Sequence, residues 1–142
     1  MKTLVEYAKS FIGKPYLWAG EGPTGFDCSG LVQEILRSVG EDPSGDQTAQ
    51  GLFNYFRENG TILQRMKPCA LIFYGKSSRQ ITHVAFGIDN FRIVEAGGGG
   101  SSTVNVDVAD KQGAMIRIRP HNHRTDMVAI FMPDYINCQK EF

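Results

Sequence analysis

The spacing of apolar residues changes once along the chain, and that change constrains the fold more than any other feature. Up to about residue 58 apolar side chains recur at helical intervals; beyond residue 68 they come in short alternating or continuous runs. Leu4, Val5, Ala8, Phe11 and Ile12 mark a helix over residues 3–12, stopped by Gly13 and Pro15. Cys28, Leu31, Val32, Ile35, Leu36 and Val39 share one face of a second helix, with Asp27 at the N-cap position and Gly40 as the stop. A third, over residues 48–58, carries Leu52, Phe53, Tyr55 and Phe56 and ends at Asn59-Gly60. The runs at 70–74, 83–88, 91–96, 103–108, 115–119 and 127–132 read as strands. Helices followed by strands predict an α+β chain, its N-terminal helices packed on one face of a central antiparallel β-sheet.

Size and charge narrow the function. A chain of 142 residues, 42% of them hydrophobic, reads as one domain over residues 1–142 with a core that needs no metal or disulfide staple. Fifteen basic residues balance fifteen acidic ones without a basic stripe, which argues against a nucleic-acid partner. No stretch approaches the ~20 apolar residues of a membrane span. Glu6 and Lys9 interrupt the apolar residues of the N-terminus, so no signal-peptide core is expected, and action outside a cytosol would need another carrier.

Cys28, Cys69 and Cys138 are widely spaced and odd in number, which fits reduced thiols better than a zinc site or a disulfide scaffold. Cys69 opens an apolar run and Cys138 lies in a polar tail. Cys28 differs, because Gly25-Phe26-Asp27-Cys28-Ser29-Gly30 places it where a glycine-rich loop enters a helix. Unpaired N–H groups and the dipole at that end stabilise a thiolate and can donate to an oxyanion, while Gly25 and Gly30 would let a substrate backbone approach. The alternative is a small buried hydrophobe on a core helix.

A nucleophilic cysteine needs a base, and the chain has three histidines: His83, His121 and His123. His83 begins a strand that is followed by Asp89-Asn90 and a second strand. A three-residue hairpin loop at Ile88-Asp89-Asn90 pairs Gly87 with Phe91 and sets His83 opposite Glu95, on one sheet face. Small Ala85 and Gly87 on that face leave room for a helix to bring Cys28 close. Cys28, His83 and Glu95 then form a nucleophile, a base and an orienting acid; otherwise His83 ends a strand and Glu95 faces solvent. His121-Asn122-His123 follows Pro120 in a polar connector with no acidic cluster nearby, so no metal site is expected there. Glycines 97–100 precede no helix and form a flexible rim rather than a phosphate loop.

Two blocks go further. Gly13-Lys14-Pro15-Tyr16-Leu17-Trp18-Ala19-Gly20 and Gly25-Phe26-Asp27-Cys28-Ser29-Gly30-Leu31-Val32 closely resemble the signature of the NlpC-type cell-wall cysteine peptidases. Thr48-Ala49-Gln50 and Ile81-Thr82-His83-Val84-Ala85 are similar to that family's Thr/Ser-x-Gln element and histidine strand. The resemblance implies a papain-like fold and hydrolysis of peptidoglycan stem peptides, typically between γ-D-glutamate and the following diamino acid, without a cofactor. It implies Cys28 as nucleophile, His83 as base and Tyr16 as the tyrosine bordering the oxyanion site, with Asp27 and Ser29 on the substrate side. For these last three, loop packing, a helix cap and a helix-start residue are the competing roles.

Two departures stand out. Glu95 occupies a third position where the family usually has His, Asn or Gln, and Pro68-Cys69-Ala70 stands where it usually has Pro-Gly-Asp. They leave two rivals: a non-catalytic wall-binding or virion protein that keeps the fold, and an amidase or thioesterase on another substrate. The compact chain resembles phage-borne members, for which a tail or a membrane pore would be the delivery partner to the bacterial wall.

Overall fold

The computed structural model describes residues 2–20, 22 and 25–135; Cys138 lies outside them. The order is α1 (Lys2–Lys9), α2 (Cys28–Arg37), α3 (Ala49–Asn59), β1 (Gly60–Leu63), β2 (Leu71–Gly75), β3 (Ile81–Gly87), β4 (Arg92–Gly97), α4 (Val106–Gln112), β5 (Met115–Pro120) and β6 (Met127–Pro133). The strands form one six-stranded antiparallel sheet in the order β1-β6-β2-β3-β4-β5.

The apolar stripes of α1 to α3 bury against one sheet face. Leu31, Ile35 and Leu36 of α2 and Leu52, Phe53 and Phe56 of α3 join Leu71, Phe73, Val84, Phe86 and Val94 in a single cluster. Phe53, Phe73 and Phe131 meet edge to face, with ring centroids 5.4–5.9 Å apart. The opposite face carries a smaller cluster built from Met66, Ile72, Tyr74, Ala85, Ile93 and Ile130.

Three expectations need correction. Residues 103–108 are not a strand. The Asn105 side chain accepts the Val108 N–H at 2.9 Å and starts α4, and Gly113, at φ 65°, ends it. Capping and the burial of Ala109 outweigh the β-branched run, whose Val104 and Val106 stay exposed. Second, α1 ends at Lys9, because residues 10–12 continue in tighter turns such as Phe11 N–H to Ala8. Third, β1 has no counterpart among the expected strands. It has four residues, pairs with β6 at the sheet edge and leaves Ile62 exposed, so it carries no alternation to read.

The β3–β4 hairpin is longer than expected. Ile88 N–H bonds Arg92 C=O, and the register runs Phe86↔Val94 and Gly87↔Ile93, two residues from the expected pairing. A shift of two preserves the face, so His83 and Glu95 still point the same way. They lie on the side of the sheet away from the helices, where Tyr74, the register partner of His83, stacks 5.6 Å from its ring. No helix fills the space over Gly87, since a Cβ there would meet Lys67 O and Met66 Cε at 2.6 Å. The recorded β3–β4 pairing stops at Phe86, so the strands are unpaired alongside His83, and Cys28 on the helix side meets the imidazole there.

Candidate active site

Local forces fix each group. Asp27 caps α2 in extended backbone, its Oδ1 accepting the Gly30 N–H at 2.7 Å and the Ser29 hydroxyl at 3.3 Å. Cys28, half-buried, is therefore the first helical residue. Gly30 permits this entry for a structural reason, because a Cβ there would sit 2.0 Å from Gly20 O. A Cβ on Gly25 would lie 2.6 Å from Pro15 O. Both glycines let the loop pack on itself, which replaces the substrate-approach role expected of them.

The loop before the helix is pinned by backbone bonds to three separate segments. Tyr16 N–H donates to Ala114 O, Leu17 N–H to Phe26 O and Trp18 N–H to Thr103 O. The Tyr16 side chain is thereby held against Cys28, buried and packed by Gly99. Burial first, then the charges of Cys28 and Asp27, push its phenol up to about 12, so the hydroxyl is a proton donor at neutral pH.

Gln50 positions the histidine strand. Its Oε1 accepts the Ile81 N–H at 2.8 Å and its Nε2 donates to Ser78 O at 2.9 Å, tying α3 to the start of β3. His83, two residues on, is 8% exposed, and its Nε2 lies 2.8 Å from Glu95 Oε1. That contact commits Nε2 and leaves Nδ1 for Cys28. Burial alone would push the imidazole pKa down; contacts with Cys28 and Glu95 outweigh it and raise the value to about 9.

Glu95 is 3% exposed and has a second partner. His123 Nε2 approaches the same Oε1 at 3.1 Å. Burial pushes the carboxyl up, but the hydrogen bonds and charges of the two imidazoles prevail and hold it below the usual carboxylate range. Tyr74 braces the cluster: its hydroxyl donates to His121 O, and the Arg124 guanidinium lies 5.1 Å over its ring. Arg124 is itself gripped by Asp126 through contacts of 2.9 and 2.7 Å.

Cys28, His83, Glu95 and Tyr16 thus come together, with Asp27 and Ser29 beside them. His123 is the residue missed from sequence. The connector that carries it gives no periodic signal, and only the presence of a buried acid awaiting a second partner could have drawn attention to it. Among the described residues no group of three or more His, Cys, Asp or Glu side chains is arranged to hold a metal ion.

Cys28 and Tyr16 sit on the ridge between two open cavities. One, of about 280 Å³, is lined by Trp18, Asp27, Ser29, Asp46 and Thr48 among others. The second, of about 330 Å³, is lined by His83, Glu95, the glycine rim, Arg119, His123 and Arg124. A ridge carrying a sulfur, with room on either side, suits an extended substrate whose reacting bond crosses it.

An α+β fold that offers a helix-start cysteine to a sheet histidine defines the papain-like class. Within that class the chain belongs to the NlpC/P60 family, which it matches over residues 13–123. This is a family of cell-wall peptidoglycan hydrolases, cysteine peptidases in their general character. The chain is 32% identical over 104 residues to the probable endopeptidase p60 of Listeria grayi, covering 73% of this chain and 19% of that protein. It is 28% identical over 125 residues to the γ-D-glutamyl-L-lysine dipeptidyl-peptidase of Bacillus subtilis, covering 82% and 40%. The fold is similar to that of RipD from Mycobacterium tuberculosis, a non-catalytic NlpC/p60 domain protein adapted to peptidoglycan binding (TM-score 0.66, 21% identity, 94% and 96% covered). The chain spans about a fifth of the Listeria protein's length.

Proposed function

We propose that the protein is a cysteine endopeptidase that cleaves the γ-D-glutamyl–diamino acid bond of peptidoglycan stem peptides through Cys28, His83 and Glu95. The observation that carries this reading is the single chain of contacts from the sulfur through the imidazole to a buried carboxylate. The Cys28 sulfur attacks the amide carbonyl as the thiolate, its proton already held on His83. The Cys28 N–H and the Tyr16 hydroxyl donate to the oxyanion in this reading. Collapse breaks the C–N bond, the amine leaves with the proton from His83, and a thioester remains. Water, deprotonated by His83, then releases the glutamyl acid and the thiol. Glu95 fixes the imidazole tautomer and supports its positive charge, and His123 anchors Glu95. Asp27 and Ser29 shape the acyl side from the helix cap.

The same reading places the substrate at the bacterial wall, with a virion or a membrane pore as the delivery route. Digestion of purified sacculi followed by mass spectrometry of the muropeptides tests it. New termini at the γ-D-glutamyl bond, absent with Cys28→Ala, are expected. Wall binding without any new terminus would favour a binding protein of the RipD kind, and cleavage unaffected by Cys28→Ala would overturn the mechanism.

A further inference from the structure

The two halves of the cleft carry different charge, and the mechanism assigns a direction to them. His83 must protonate the departing nitrogen, so the leaving residue occupies the half that His83 lines, together with Gly97, Gly98, Arg119, His123 and Arg124. The charges in that half are unequally available. Glu95 is buried, with both histidines on one oxygen. The Arg124 guanidinium is held by Asp126 and stacked on Tyr74. Arg119, on edge strand β5 opposite Ile93, is exposed, and its guanidinium makes no hydrogen bond or ion pair with another described residue. The leaving half therefore offers the substrate one unengaged guanidinium and no unengaged carboxylate.

We propose that Arg119 reads a free carboxylate on the residue that leaves, so that the enzyme favours an acid-bearing diamino acid over lysine. This rests on the endopeptidase reading above, because the direction of the substrate follows from the proton transfer. A guanidinium meets a carboxylate through two parallel N–H donors, whereas a lysine side chain brings an ammonium into a half that is already positive. The carboxylate has two sources: the side chain of a diaminopimelate-type residue, or the main chain when the diamino acid is C-terminal. Both place the same group within one residue of the cleaved amide.

The test uses synthetic stem peptides with meso-diaminopimelate or L-lysine after γ-D-glutamate, each as a tetrapeptide and as a tripeptide, with free or amidated carboxylates. Wild type is expected to cleave the free-acid diaminopimelate tetrapeptide with kcat/KM about tenfold above its side-chain amide. Arg119→Ala should narrow that ratio to about twofold, and Arg119→Glu should reverse it in favour of lysine, both with unchanged thermal midpoints because the side chain is exposed. An effect confined to the tripeptides would assign the carboxylate to the main chain, which a C-terminal lysine also carries, and would overturn the preference over lysine. Equal cleavage of acid and amide, or a preference that survives Arg119→Glu, would overturn it. Binding of the same peptides to Cys28→Ala protein, by calorimetry, gives the ratio without turnover. A carboxylate preference there with no cleavage by wild type would sink the endopeptidase reading alone, and cleavage with no preference would sink this proposal alone.

Discussion

The two histidines on Glu95 reach it from different parts of the molecule and are held to different degrees. His83 comes from an interior strand, is fixed by Gln50 upstream and Tyr74 alongside, and contacts the carboxylate at 2.8 Å. His123 comes from the connector between β5 and β6, keeps 18% of its side chain exposed and contacts the same oxygen at 3.1 Å. The difference teaches which features a site of this kind demands. In the proposed mechanism the group that moves protons is built on regular structure, and the group that steadies its partner arrives on a loop.

Removing either imidazole separates the two roles. His83→Ala takes away the base and the proton donor together, so kcat should fall by about 10³-fold or more, with KM little changed. Glu95→Gln keeps the shape but not the charge and leaves the imidazole tautomer unspecified; a loss of about 10²-fold in kcat is expected. His123→Ala removes one partly exposed, charge-assisted contact, and the expected loss is about fivefold, with His123→Gln restoring most of it. Steady-state kinetics on a stem peptide checks all three. If His123→Ala were as damaging as His83→Ala, the contrast between strand and loop would be wrong.

The pH dependence sharpens the same contrast. The folded His83 holds its proton to about pH 9, against 6.5 for the free side chain. The native state then binds more protons than the unfolded one between these values, so His83's contribution is complete below pH 6.5 and is lost on approaching 9. Glu95 has the opposite sign: its contribution is complete above the usual carboxylate range and is lost as pH falls through its lowered native value. Urea titrations should show stability declining from pH 6.5 to 9, a decline removed by His83→Gln. The alkaline limb of kcat/KM should lie near 9, where the proton for the leaving amine disappears.

The smallest effect lies outside the cleft. Cys69 stands at φ 71°, the left-handed region, just where the related motif has glycine. Its N–H bonds Gly87 O, and its C=O accepts from Tyr135, so the turn is locked despite the side chain. Cys69→Gly relieves left-handed strain but empties a buried core position, so stability in chemical denaturation should change by less than about 1 kcal/mol, with kcat unchanged.

Much of this was legible from sequence because it depends on short-range rules. Asp27 reads as a cap and is one, and with the cap comes the position of Cys28. Glu95 shares a face with His83 because strand parity survives a register error of two residues. The long-range features were not legible. Nothing in Pro120-His121-Asn122-His123 says that the connector folds back so that His123 meets a residue 28 positions earlier. The approach of Cys28 where β3 and β4 do not pair with each other also escaped, since the face assigned to the helix is filled by Met66 and Lys67. Residues 103–108 misled for a local reason: β-branched residues on both sides of Asn105 mask a cap.

The most direct test is the covalent intermediate. Rapid quenching of the protein with a stem peptide, followed by intact-mass and peptide mapping, should show a thioester carrying the alanyl-γ-glutamyl fragment on Cys28, increased in Glu95→Gln if deacylation slows more than acylation. Turnover with no adduct on Cys28, or an adduct on Cys69 instead, would contradict the mechanism.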